Sequence, residues 1–173
     1  MSDDEAELRW QEESLERARR EGERIAALHA AHDFAALRVR LVRQFRDVVL
    51  PSLRSIGFRG SPPNLYRVRE NVVDVVMLQV DRYGGGFAVN LGTMPLSDGD
   101  AAAVRLRSIP FEDRARLTRD PEGLQDRWYR YDGPTGTPED QQDAALREVA
   151  ALTGAADEWL RTGHRGGHVI DNR

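Results

Sequence analysis

The side chains that could do chemistry are few in this chain, and what is missing narrows the field first. There is no cysteine, which excludes thiolate nucleophiles, disulfides and cysteine-ligated zinc or iron–sulfur centres. All 25 cationic residues are arginine, so neither a Schiff-base lysine nor the lysine of a phosphate-binding loop is available. His29 and His32 stand three apart on an expected helix, a spacing that can share one face, but no third ligand is placed with them. His164 and His168 flank Gly166 and Gly167 in a glycine-rich tail too mobile to preorganise a metal site. The carboxylate pairs Glu112 with Asp113 and Asp98 with Asp100 have no readable cleft to shift their pKa values, and no Gly-x-Ser-x-Gly elbow occurs. The expectation is no catalytic residue, no metal and no cofactor.

What remains is recognition chemistry. Gln79 and Asn90 are two carboxamides that can donate to and accept from each other across strands, either as a self-satisfied structural pair or as a partner contact. Arg114, Arg116 and Trp128 add guanidinium forks and an aromatic face suited to an acidic partner. These five are the candidate partner-binding residues.

The elements that must position them start with residues 72–94, two apolar runs joined by Tyr83-Gly84-Gly85-Gly86. Glycine takes positive φ at no steric cost, so the run predicts a hairpin. Centring the turn on Gly84 and Gly85 puts Gln79 opposite Asn90 and Leu78 opposite Leu91, with the apolar residues collected on one core face. A short strand over residues 64–69 should pair with this hairpin through a two-residue turn at Glu70-Asn71, setting Arg67 against Asp74. Further extended pieces are expected at 114–118 and 127–131.

Around the sheet, helices are expected. Residues 3–31 read as a highly charged helix whose Leu8, Leu15, Ala18, Gly22 and Ile25 form only a poor heptad seam. Asp33 can cap a second helix carrying Phe34, Leu37, Leu41, Phe45, Val48 and Ile56 toward the core, interrupted at Pro51 and ended at Gly57. Thr137-Pro138-Glu139-Asp140 starts a helix that runs to Gly154, followed by a short one around Trp159. The fold class is α+β, a small hairpin-built antiparallel sheet packed against helices. The organisation is a charged extension over 1–33, one domain over 34–160 and a flexible tail over 161–173.

Charge is uneven. Residues 1–33 hold ten acids and five arginines, 34–130 eleven acids and sixteen arginines, and 131–173 eight acids and four arginines. The basic middle should be neutralised largely by the chain's own acidic ends, without the aromatic interleaving of a nucleic-acid stripe, so nucleic acid is not the expected partner. No apolar run could cross a bilayer, and the acidic start is unlike a signal peptide, so a cytoplasmic location is expected.

The order of the motifs Leu50-Pro51-Ser52-Leu53, Gly57-Phe58-Arg59, Tyr66-Arg67, Leu78-Gln79, Phe87-Ala88-Val89-Asn90-Leu91-Gly92, Arg114-Ala115-Arg116-Leu117 and Asp126-Arg127-Trp128-Tyr129 resembles bacterial proteins containing the domain of unknown function 4304, over residues 34–160. That resemblance implies a compact α+β domain with an antiparallel sheet and brings no activity. The preferred functional reading is a non-enzymatic interaction or accessory module, such as a toxin-neutralising one, with an acidic protein partner. The alternative is a small hydrolase or nucleic-acid-processing enzyme working around Arg114, Arg116 and Trp128 in a pocket the sequence does not reveal.

Overall fold

The run of Glu, Arg, Ala and Leu at the start of the chain forms helix α1, Asp3–Ala31. The computed structural model describes residues 3–82, 84–96, 100–119, 127–164 and 166–171, which divide into two units, Met1–Phe34 and Ala35–Arg173. In the first unit, ion pairs one turn apart dress α1, with Arg20 to Glu16 and Arg24 to Glu21 both at 2.5 Å. Leu15 of the expected seam is 72% exposed, and nothing lies within 4 Å of where a Cβ would sit on Gly22. The side chains of Leu8 and Ile25 lie outside the described set. Among the described residues, no helix is long and apolar enough to cross a membrane.

In the second unit the core helix is built in three pieces: α2 (Phe34–Gln44), a π turn (Phe45–Val49) and α3 (Leu50–Ser55). Leu37, Leu41, Phe45, Val49 and Leu53 are buried at a constant spacing of four residues. A straight α-helix would rotate such a stripe off the core, since its repeat is 3.6 residues; the wider π turn absorbs the drift. Val49 and Leu53 therefore point inward where Val48 and Ile56 were expected, and these two are only half-buried. Pro51 falls just after the π turn, at the start of α3, where its missing N–H costs least. Gly57, at φ 94°, ends the helix with paired bonds from its own N–H to the Arg54 carbonyl and from the Phe58 N–H to the Leu53 carbonyl.

Among the described residues, seven antiparallel strands follow: β1 (Arg59–Ser61), β2 (Asn64–Arg69), β3 (Val72–Val80), β4 (Gly86–Pro95), β5 (Arg114–Leu117), β6 (Tyr129–Arg130) and β7 (Val169–Asp171). The sheet order is β1-β2-β3-β4-β5-β7, with β6 also on β4. The turn at Glu70-Asn71 sets Arg67 opposite Asp74, as expected. The central hairpin differs from expectation: Gln79 lies opposite Ala88, Met77 opposite Asn90 and Leu78 opposite Val89. Its loop has four residues, 82–85, closed by the Asp81 N–H on the Gly86 carbonyl at 3.0 Å. Gly85 is tied to the strand beyond the hairpin, its carbonyl accepting the Tyr131 N–H at 2.9 Å, and only glycine fits there, since a Cβ would collide with the Asp132 carboxylate. The slip is two residues, an even number, so every side chain keeps its expected face while its partner changes.

Helices α4 (Pro138–Ala151) and α5 (Thr153–Thr162) cover one face of the sheet, where Asp74, Val76, Leu78, Val89 and Leu91 are buried. Thr137 caps α4, its hydroxyl oxygen accepting the Asp140 N–H at 3.2 Å. The opposite face is not simply polar. At one end, 3-10 turns at Ala101–Ala103, Leu106–Ser108 and Phe111–Asp113 fold over Val73 and Val75, so that Leu106 and Ile109 form a second apolar cluster with them. Gly92 permits this approach, since a Cβ there would stand 2.6 Å from the Ile109 Cδ1 atom. The tail is also more ordered than expected: β7 pairs with β5 and buries Val169, covering what would otherwise be an open strand edge.

Candidate functional site

Where the 3-10 layer stops, the second sheet face opens into a cleft. Its floor is a single row across four strands: Asn64 pairs with Met77, Met77 with Asn90 and Asn90 with Arg116. Side chains directly opposite in adjacent strands project from the same face, so the row aligns their end groups. The cleft at the β4–β5 end has a volume of about 390 Å³ and is bordered by Gln79, Asn90, Arg107, Phe111, Arg114 and Arg116. A second depression of about 320 Å³ adjoins it, sharing Met77, Leu106 and Arg107 and adding Asn64 and Arg105.

Four of the five expected residues thus line one space, and the fifth, Trp128, is in contact with Arg116. Asn90, although diagonal to Gln79 and not opposite it, still donates from Nδ2 to the Gln79 Oε1 at 3.1 Å. Arg116 donates from Nε to the Asn90 Oδ1 at 3.0 Å and from Nη2 toward the Gln79 Oε1 at 3.5 Å. Its guanidinium carbon sits 5.5 Å from the Trp128 ring centroid. Arg114 reaches the Ile109 carbonyl through Nε at 2.7 Å and the Arg107 carbonyl through Nη2 at 3.1 Å, bracing the 3-10 wall. Arg105 likewise donates to the carbonyls of Ala102 and Val104, at 2.7 and 3.0 Å.

The contrast with the other arginines defines the electrostatics. Arg40 pairs with Asp143 at 2.8 Å, Arg119 with Glu148 at 2.9 Å, and Arg130 with Asp81 at 3.3 Å and with Asp132. Arg67 and Arg69 converge on the fully buried Asp74, at 2.8 and 2.6 Å, and Arg67 also meets Asp157 at 2.6 Å. Thr93 donates its hydroxyl to the same Asp74 carboxylate at 3.1 Å. The acid-rich segment 131–173 therefore neutralises Arg40, Arg67 and Arg119, as the charge distribution suggested. Among the described residues, Arg105, Arg107 and Arg114 have no carboxylate partner, and no carboxylate lines either depression. Arg105 and Arg114 hold backbone carbonyls and Arg107 is exposed, so among the described residues the charge lining the cleft is positive.

Among the described residues, the remaining sequence candidates do not assemble. His32 is half-buried, the His29 side chain is outside the described set, and His164 and His168 are exposed. Asp98 is also outside the described residues, while Asp100 caps a 3-10 turn by accepting the Ala102 N–H at 2.9 Å. Glu112 and Asp113 lie on the turn Phe111–Asp113, in sequence between the cleft-lining Phe111 and Arg114, without lining the cleft themselves. Arg105, Arg107, Phe111, Asn64 and Met77 were not singled out from sequence. The available signal was the repeated Arg-apolar-Arg triplet, Arg105-Leu106-Arg107 and Arg114-Ala115-Arg116. Only the second sits in a strand whose alternation can be read.

Two buried phenols complete the inner side. Burial pushes the Tyr129 hydroxyl far above the ordinary tyrosine range; Glu148 adds to the shift and the nearby Arg119 opposes it. Burial also raises Tyr131, against the opposing pull of the Gly85 backbone and Gln142.

The architecture is that of an antiparallel α+β domain with helices on one sheet face and a cationic cleft on the other. Residues 49–135 match the family described as Domain of unknown function (DUF4304), and the chain belongs to that family. The match is shorter than the 34–160 suggested by the motifs; it runs from the end of the π turn through β6 and contains every cleft residue. No curated protein and no solved structure matches the chain.

Proposed function

We propose that this protein is a non-enzymatic interaction module that captures an acidic protein partner on its open sheet face. The observation that carries this reading is the cleft in which Arg107 and Arg114 have no carboxylate partner among the described residues, while the arginines facing the helices are ion-paired. Acid–base hydrolysis would need a carboxylate or histidine at the reacting position, and among the described residues none borders this cleft. A guanidinium cluster beside Gln79 and Asn90 suits recognition, since it offers directed donors to carboxylates and steers an acidic surface during encounter. A bacterial, cytoplasmic setting and an accessory role such as toxin neutralisation belong to the same proposal.

The test uses Arg107, because Arg114 and Arg116 also brace the wall and the amide cluster. Binding of fluorescein-labelled decaglutamate is followed by anisotropy. Arg107→Glu should weaken it by about tenfold at low salt. Raising the salt should shrink that difference, as screening predicts. Absence of binding, or binding indifferent to Arg107→Glu, overturns the reading.

A further inference from the structure

The floor of the cleft has a direction. Asn64, Met77, Asn90 and Arg116 form one row perpendicular to the strands, and the two depressions follow it from β2 to β5. Three inter-strand steps span roughly 14 Å, and an extended polypeptide advances about 3.3 Å per residue, so the row holds about four or five residues. The chemistry along it is not uniform. Arg105 stands at the Asn64 end and Arg114 with Arg116 at the other, with Met77 and Leu106 between them. In an extended segment alternate side chains face the same way, so the first, third and fifth residues would meet cation, apolar floor and cation in turn. Uncommitted amides lie beside that track: the Gln79 Nε2 group makes no protein hydrogen bond among the described residues, nor does the Asn64 side chain. Both can serve a peptide backbone, which needs donors and acceptors in equal number.

We infer that the groove binds an extended peptide segment of the pattern acid-x-apolar-x-acid, laid across strands β2 to β5. This rests on the reading of the cleft as a capture site for an acidic protein, and it adds a length, a direction and a sequence pattern.

The experiment compares two end-blocked peptides of identical composition, Glu-Ser-Leu-Ser-Glu and Glu-Glu-Leu-Ser-Ser, titrated into the full-length chain by nuclear magnetic resonance. The patterned peptide should bind at least fivefold more tightly, with shifts at the amides of β2 through β5. Arg105→Gln, which retains hydrogen-bond donors for the Ala102 and Val104 carbonyls, should reduce it to the level of the scrambled peptide and leave the scrambled one unchanged. Equal affinity of the two peptides, or no effect of Arg105→Gln, overturns the pattern while decaglutamate binding still supports acidic capture. A twelve-nucleotide single-stranded DNA binding more tightly than either peptide overturns the peptide assignment. If decaglutamate also fails to bind, the broader reading falls with it.

Discussion

Tyr129 shows how a single buried group sets a measurable pH limit. Its hydroxyl is buried without a hydrogen-bond partner among the described residues, and its pKa is raised, so the folded state holds the phenolic proton more tightly than the unfolded chain does. Stability from such a group is fully present below the unfolded value of about 10 and is lost as pH rises toward the folded value, at about 1.4 kcal/mol per pH unit. Urea midpoints measured between pH 8 and 11 should therefore fall above pH 10. Tyr129→Phe should flatten that fall and change stability at pH 7 by less than about 1 kcal/mol, because no hydrogen bond is lost. An unchanged alkaline slope in the variant would reject the assignment. At this scale the sequence was informative wherever a short turn linked the residues concerned. Arg67 and Asp74 could be paired from the two-residue turn between them, but Asp157 could not be placed, since a helix docking on a sheet leaves no local pattern. Arg107 was missed for a similar reason: it lies in a 3-10 layer with no periodicity to read.

Among the elements, hydrophobic alternation identified the strands and faces, whereas loop length decided the partners. The three-glycine run allows several turns, and what selects the four-residue loop is a contact from the distant Tyr131 to Gly85. The π turn was half visible. Pro51 announced an interruption, but the compensating wide turn follows from a stripe repeating every four residues, 37 to 53, which is evident only once burial is known. This gives a test by deletion. Removing the exposed Asp47 should convert the π turn into an α turn and leave Pro51 inside a continuous helix, at a cost of about 3 kcal/mol. Combining the deletion with Pro51→Ala should recover most of that loss in a thermal melt. No recovery in the combined variant would mean that the wide turn serves something other than the proline and the stripe.

For the whole molecule, the division at Phe34 leads to the expectation that residues 1–30 are dispensable for folding of the rest. The truncated chain should unfold cooperatively with a urea midpoint close to that of the full chain; a molten or insoluble product would show that α1 supplies core surface. The segment charges were legible as totals but not as pairings. Arg40, Arg67 and Arg119 are neutralised because α4 and α5 carry Asp143, Glu148 and Asp157 to them, which segment totals do not reveal. The buried Asp74 hub has a consequence for how this family can vary. Replacing Asp74 alone takes from Arg67 its buried partner, leaving it only Asp157, and from Arg69 its only carboxylate among the described residues, while replacing either arginine weakens a carboxylate with no access to water; breaking such a buried pair costs about 3–5 kcal/mol. An apolar trio at positions 67, 69 and 74 could pack as stably as the ionic one, yet every single-step route to it crosses a less stable intermediate. Lineages should therefore keep all three residues or exchange them together, so that the cluster persists through the inaccessibility of its alternatives as much as through its own strength.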